Sequence, residues 1–176
     1  MVDKKELAKQ IKKSSYLTGQ FKLRSGKISS FYWDKYRFES DPKLLSEIIE
    51  HMTKSLPKSF DKLAGMELGG VPLATVLSLR IGKPCLFVRK KAKDYGTCNL
   101  VEGGFQTGET VLVVEDVITT AGQVVSSIED MRKLGLIVND VLCVIDREQG
   151  GREKLTEIKC SLSSLFTMTE LERFNT

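Results

Sequence analysis

The stretch Val111-Leu-Val-Val-Glu115-Asp116-Val-Ile-Thr119-Thr120-Ala121-Gly122-Gln123 constrains this chain more than any other. It reads in three parts. Residues 110–114 form a β-branched strand apolar enough to be buried. Two adjacent carboxylates end it. A short loop of hydroxyl-bearing and small residues then feeds a helix beginning near Gln123. Ligands of open α/β sheets sit at the carboxyl ends of strands. A small-residue loop at a helix N-terminus offers backbone N–H groups and a favourable dipole to a phosphate. Ionised carboxylates at the same place are good acceptors for ribose hydroxyls. Taken alone, the acidic pair reads equally well as a strand end before an ordinary turn. The segment has no Gly-Lys-Ser/Thr ending and no glycine fingerprint after the strand, so it is neither a nucleoside-triphosphatase loop nor a dinucleotide-binding turn.

The rest of the chain supplies alternating strands and helices around that segment. Residues 63–66, 85–88, 141–145 and 162–166 read as strands, and residues 71–81, 123–134 and 170–174 as helices. Gly82 and Gly135 close the first two of these helices. This alternation predicts an α/β fold with a mainly parallel sheet flanked by helices. Before it lie a short amphipathic helix over residues 6–13 and a hairpin of residues 21–24 and 29–36 about Ser25-Gly26. A helix follows, opened by Asp41-Pro42 and running to about residue 56 before Pro57. The hairpin is expected outside the main sheet. We expect one domain over residues 1–176, with an N-terminal helix and hood in residues 1–40 and the core sheet in residues 60–170.

Composition narrows the function class. Of the 176 residues, 41% are hydrophobic and 28% charged, the balance of a globular chain. No apolar run approaches the ~20 residues that cross a bilayer. Residues 1–13 are charged and lack a signal-peptide core, so a cytoplasmic protein with no membrane partner is expected. The net charge of +4 suits an anionic small molecule as well as a nucleic acid. One basic knot gathers Arg89, Lys90, Lys91 and Lys93. The four cysteines, Cys85, Cys98, Cys143 and Cys160, have neither zinc-ligand nor redox spacing and are expected as reduced thiols.

The segment over residues 111–123 resembles the signature by which type I phosphoribosyltransferases hold phosphoribosyl diphosphate. Ala121 stands where glycine is frequent. Four further segments resemble the orotate phosphoribosyltransferase branch. The first is Phe21-Lys-Leu-Arg24-Ser25-Gly26-Lys27-Ile-Ser29-Ser30-Phe31-Tyr32-Trp33-Asp34, with Arg24 in place of lysine and Ser30 in place of proline. The second is Gly65-Met-Glu67-Leu68-Gly69-Gly70-Val71-Pro72-Leu73, with Gly69 where many members carry lysine. The third is Phe87-Val-Arg89-Lys90-Lys91-Ala92-Lys93-Asp94-Tyr95-Gly96, continuing to Glu102-Gly103-Gly104. It resembles a cationic lid, with Tyr95 in place of the common histidine. The fourth is Val144-Ile145-Asp146-Arg147-Glu148-Gln149-Gly150-Gly151.

The resemblance implies the type I phosphoribosyltransferase fold with a hood hairpin. It also implies transfer of phosphoribosyl from 5-phosphoribosyl 1-diphosphate to orotate, giving orotidine 5′-monophosphate and diphosphate. On that reading Glu115 and Asp116 hold the ribose hydroxyls, directly or through Mg2+. Thr119, Thr120, Ala121, Gly122 and Gln123 hold the 5′-phosphate. Arg24, Arg89, Lys90 and Lys93 meet the diphosphate, with Lys93 and Asp116 catalytic. Phe31, Tyr32, Thr120 and Arg147 border orotate, the guanidinium reading its carboxylate. A homodimer with shared sites and no nucleic-acid partner is implied. Three alternatives stand beside it. A purine or uracil phosphoribosyltransferase would share the signature. A diphosphokinase usually needs two such domains. A non-catalytic donor-binding regulator usually adds a DNA-reading helix pair.

Overall fold

The computed structural model describes residues 1–22, 26–91 and 99–174. The strand at the centre of the sequence argument is the centre of the molecule. It is β6, Thr110–Ile118, and it runs four residues beyond its predicted end. The reason is the partner strand. β7, Ile137–Asp146, continues parallel beside it to the Ile118–Asp146 pair, so Glu115 and Asp116 lie inside the ladder and not after it. Alternation along β6 sends Leu112 and Val114 to one buried cluster and Val111 and Val113 to the other.

Six strands form the main sheet in the order β5-β4-β3-β6-β7-β8. Besides β6 and β7 these are β3 (Lys62–Met66), β4 (Cys85–Val88), β5 (Val101–Glu102) and β8 (Ser161–Thr167). All neighbours pair parallel except β4 with the short edge strand β5. α5, Gly122–Lys133, covers one face through Val124, Ile128 and Met131. The other face carries α1 (Lys4–Ser15), α3 (Pro42–Met52) and α4 (Glu67–Ile81) through Leu7, Ile11, Ile48, Leu73 and Leu77. Both faces are thus buried, as a parallel sheet requires. The family-type fold expected from the sequence, a mainly parallel sheet flanked by helices with a separate hairpin, is the fold found.

Local chemistry sets the helix ends. Asp3 caps α1 by accepting from the Glu6 amide at 2.8 Å. Asp41 caps α3 through the Lys43 and Leu44 amides, with Pro42 in the first turn. α3 stops at Met52, short of residue 56, and a 3-10 turn, Thr53–Ser55, carries the chain on. Leu56 is already extended, as the residue before a proline prefers. The last helix, α7 (Met168–Arg173), opens with a capping box of Thr167 and Glu170.

The hairpin forms its own two-stranded antiparallel sheet, β1 (Tyr16–Lys22) with β2 (Ile28–Trp33). β1 begins five residues earlier than predicted. It follows α1 directly, and Asp34 N–H donates to the Ser15 carbonyl at 2.8 Å, closing the hairpin base. Rings of Tyr16 and Trp33 meet edge-on at 5.7 Å, and Tyr16 stacks on Phe31 at 5.5 Å. β2 ends at Trp33, so Tyr36 belongs instead to α2, Tyr36–Ser40, a short helix absent from the sequence reading. α6, Gly151–Glu157, was likewise not expected. Cys85, Cys143 and Cys160 are free thiols. No helix among the described residues is long and apolar enough to cross a membrane.

Candidate active site

The carboxyl ends of β3, β6 and β7 meet the hood at one place. Asp116 is fully buried there. Its Oδ1 accepts from the Val117 amide, and its Oδ2 lies 2.6 Å from Lys35 Nζ. The Glu115 carboxylate accepts from the Asp116 amide at 3.1 Å. Glu39 of α2 completes the cluster, and its Oε1 is buried without a hydrogen-bond partner.

Crowding three acids around one ammonium moves their protons. Burial, then the Asp116 carboxylate, push Glu115 up to about 8. Burial, then the charge of Asp116 and a hydrogen bond to it, push Glu39 up to about 9. Burial works to lower Lys35, but the Asp116 carboxylate outweighs it and the ammonium is held above its usual range. Glu39 and Glu115 therefore keep protons in the folded protein that an unfolded chain has already released. A carboxyl raised in this way contributes stability that is fully present below the ordinary carboxylate range and is lost as pH rises through the folded value. The melting midpoint of the ligand-free protein is expected to fall between about pH 6 and about pH 9. Glu39→Gln, which mimics the protonated acid, should fall less. Each 1 kcal/mol moves the midpoint of a chain this size by about 2–4 °C. Identical scans for the two proteins would contradict the assignment.

The loop after β6 has the form the sequence suggested. Ala121 sits at φ 54°, in the left-handed region, immediately before α5. Its side chain is small enough to be buried there, although the position favours glycine. α5 carries no side-chain cap, so the amides of its first turn are open to an anion. Thr119 is half-buried, and Thr120, Gly122 and Gln123 are exposed. Gln123 also reaches Ser127 Oγ at 3.4 Å.

Thr119 lines a cavity of about 620 Å³ together with Tyr32, Trp33, Lys35, Tyr36 and Arg147, among others. Arg147 follows the end of β7, and its amide donates to the Ile118 carbonyl at 2.8 Å. Arg147 Nε is buried and has no hydrogen-bond partner among the described residues. The two flanking acids are engaged elsewhere. Asp146 Oδ2 takes Arg152 at 2.9 Å, and Glu148 accepts from the amide and hydroxyl of Thr169 at 2.8 and 2.6 Å. A guanidinium left unpaired beside two acids is poised for an acceptor from outside the chain.

Other expected site residues fall differently. Phe31 does not line this cavity. Its ring packs on Tyr16, while Tyr32 lines the cavity and stacks on Phe21 at 5.6 Å. Arg89 and Lys90 line a second cavity of about 530 Å³ with Glu67, Leu68 and Glu102. There Arg89 Nε pairs with Glu102 at 3.1 Å. Residues 65–73 are the end of β3 and the first turns of α4, which begins at Glu67, four residues before the predicted start at residue 71. The helix starts at once because Gly69 and Gly70 let it lie directly on β6. A side chain at Gly70 would come within 2.3 Å of the Val114 carbonyl oxygen. Arg24 and Lys93 lie outside the described residues, as does Tyr95. Lys35 and Glu39 were missed. Their only signal was Lys35's place directly after Asp34, at the end of the aromatic strand.

Comparison with known proteins agrees with this geometry. The phosphoribosyl transferase domain model matches residues 42–166. An orotate phosphoribosyltransferase from Nocardioides sp. is 46% identical over 166 residues, covering 94% of this chain and 93% of that one. The crystal structure of orotate phosphoribosyltransferase from Aeropyrum pernix superposes with a TM-score of 0.84 at 34% identity, over 95% of this chain and 96% of that one. The Mycobacterium tuberculosis enzyme in complex with 5-phospho-alpha-D-ribosyl 1-diphosphate gives a TM-score of 0.82 at 27% identity, over 97% and 99% of the two chains. The family model spans most of the chain and the Nocardioides relative aligns over nearly the full length of both proteins, so the chain belongs to the orotate phosphoribosyltransferase family of phosphoribosyltransferases.

Proposed function

We propose that the protein transfers phosphoribosyl from 5-phosphoribosyl 1-diphosphate to orotate, releasing diphosphate and forming orotidine 5′-monophosphate for pyrimidine synthesis. The carrying observation is Arg147. Its Nε is buried without a partner, in one cavity with Tyr32 and Thr119. The reading takes Arg147 as the carboxylate reader, Tyr32 as an aromatic wall and Thr119 as the entrance of the phosphate loop, and the cavity they share supports it. Membership of the family, and the donor bound in the M. tuberculosis relative, support the same reading.

In this reading the amides at the start of α5 and the hydroxyls of Thr119 and Thr120 take the 5′-phosphate. Glu115 and Asp116 accept from the ribose hydroxyls. The buried setting strengthens these bonds and limits hydrolysis of the donor. Arg147 orients orotate with its ring nitrogen towards the ribose carbon. Arg24, Arg89, Lys90 and Lys93 balance the departing diphosphate. Mg2+ fits the donor set. Among the described residues no group of three His, Cys, Asp or Glu side chains is arranged to hold a metal ion, so Mg2+ would draw most of its oxygens from substrate and water, as this cation commonly does. Glu115 and Asp116 would be its protein contacts. When bound, the ion neutralises charge building on the diphosphate.

The whole chain would work as one domain, as a cytoplasmic homodimer in which residue 93 of one subunit serves its partner's site. The test is orotate consumption by the purified protein with donor and Mg2+, followed by orotate absorbance. Turnover of orotate, but not of uracil or adenine, is expected. Turnover of adenine or uracil in preference would overturn the substrate assignment.

A further inference from the structure

Before any ligand arrives, one Asp116 carboxylate oxygen accepts from the Val117 amide, and the other, buried with no hydrogen-bond partner among the described residues, is ion-paired with the Lys35 ammonium at 2.6 Å. Lys35 comes from the hood, just after β2, whereas Asp116 comes from the central strand. What lets them meet is Gly69. A Cβ built there would fall 1.6 Å from Asp116 Oδ2 and 3.1 Å from Lys35 Nζ, so any other residue would displace the pair. The space a side chain would occupy on the first turn of α4 is filled by an ammonium from another element. This ammonium is not sealed in. The Lys35 side chain is 35% exposed, and it lines the same cavity as Thr119 and Arg147.

Resting on the phosphoribosyltransferase reading, we infer that Lys35 is a donor-binding residue. It is the counter-ion of Asp116 in the empty site and passes to the donor's anionic oxygens when the ribose hydroxyls take its place on Asp116. The exchange keeps each charge paired at both stages. An anion entering this cavity would otherwise face a fully buried carboxylate, and a ribose hydroxyl would find Asp116 already engaged. The Lys35 stem is flexible and its ammonium is a compact point charge with three donors, which suits a partner exchange better than a fixed fork. The tyrosine ring of Tyr36, 5.3 Å beneath the ammonium, gives it a second favourable contact during the move.

A residue that only steadies Asp116 would make a different prediction from one that also meets the donor. The two are separated by calorimetric titration of 5-phosphoribosyl 1-diphosphate into four folded proteins: wild type, Lys35→Met, Asp116→Asn and the double variant. Lys35→Met alone leaves a buried carboxylate unpaired and can lose its fold for that reason. The decisive comparison is therefore the double variant against Asp116→Asn, where that charge is already gone. Donor affinity is expected to drop a further tenfold or so in the double variant, about the loss of one charged hydrogen bond. In an Asp116→Asn/Lys35→Arg protein, where the cation is retained, most of the loss should be absent. Equal donor affinity in Asp116→Asn and Asp116→Asn/Lys35→Met overturns the inference. If the wild type binds no donor, the phosphoribosyltransferase reading itself fails, a result distinct from equal binding by the two variants.

Discussion

Replacing Arg147 with alanine is expected to raise the orotate KM by about tenfold or more while leaving donor affinity nearly unchanged. Among the described residues the side chain makes no hydrogen bond or ion pair that the fold depends on. The backbone of residue 147 ties β7 to the Ile118 carbonyl through its amide, which alanine keeps. The acids on either side are held by Arg152 and Thr169, so removing the guanidinium orphans neither. What disappears is a cation with a buried, unpartnered Nε in the cavity. A hydrogen bond to a charged group is worth roughly 1.5–3 kcal/mol, which converts to about tenfold to a hundredfold in affinity. Arg147→Lys should recover only part, because a point charge cannot reproduce the planar fork. Steady-state kinetics with each substrate varied in turn supply the check. Unchanged orotate kinetics with a collapsed donor response would make Arg147 a phosphate residue instead.

The same residue shows how much of the site could be read from sequence. Arg147, Thr119 and the acidic pair were legible because each lies close behind an apolar strand run, and such runs are local signals. A run such as Val111-Leu-Val-Val declares its strand without help from the rest of the chain. The extension of β6 to Ile118 was not legible, since it depends on how far β7 accompanies it. Phe31 and Tyr32 were both read as bordering the base, but only Tyr32 lines the cavity, while Phe31 packs on Tyr16. That choice depends on contacts between residues distant in sequence, which the local pattern does not reveal. Lys35 and Glu39 were hidden more deeply. α2 has five residues, no side-chain cap and no amphipathic repeat long enough to detect. Gly69 reads as a missing side chain in the sequence, and only the fold shows the Lys35 ammonium beside the space it leaves.

The cluster around Asp116 leads to the second large effect, and here stability and binding should move in opposite directions. Glu115→Gln is expected to weaken donor binding by about tenfold to a hundredfold above about pH 8, where Glu115 is ionised and a ribose hydroxyl then meets a neutral amide oxygen instead of a carboxylate. The same change should stabilise the empty protein in alkaline solution. Glu115 is raised to about 8, first by burial and then by the Asp116 carboxylate. Its contribution is fully present below the ordinary carboxylate range and is lost as pH rises through that raised value, whereas glutamine does not titrate. The amide retains an oxygen for the Asp116 N–H, now accepted at 3.1 Å, so the substitution opens no cavity and breaks no ladder bond. The midpoint of Glu115→Gln should therefore match wild type near pH 5 and exceed it by several degrees near pH 9. Repulsion between neighbouring acids that costs stability is expected where a site is built to receive a ligand, and removing it should trade function for stability. Thermal scans at the two pH values, with donor calorimetry on the same samples, test both halves. A variant that binds donor as tightly as wild type would remove Glu115 from the donor site. A variant that loses donor affinity but melts lower at every pH would show that the carboxylate is held by contacts that favour its charge, and not against the cost of burying it.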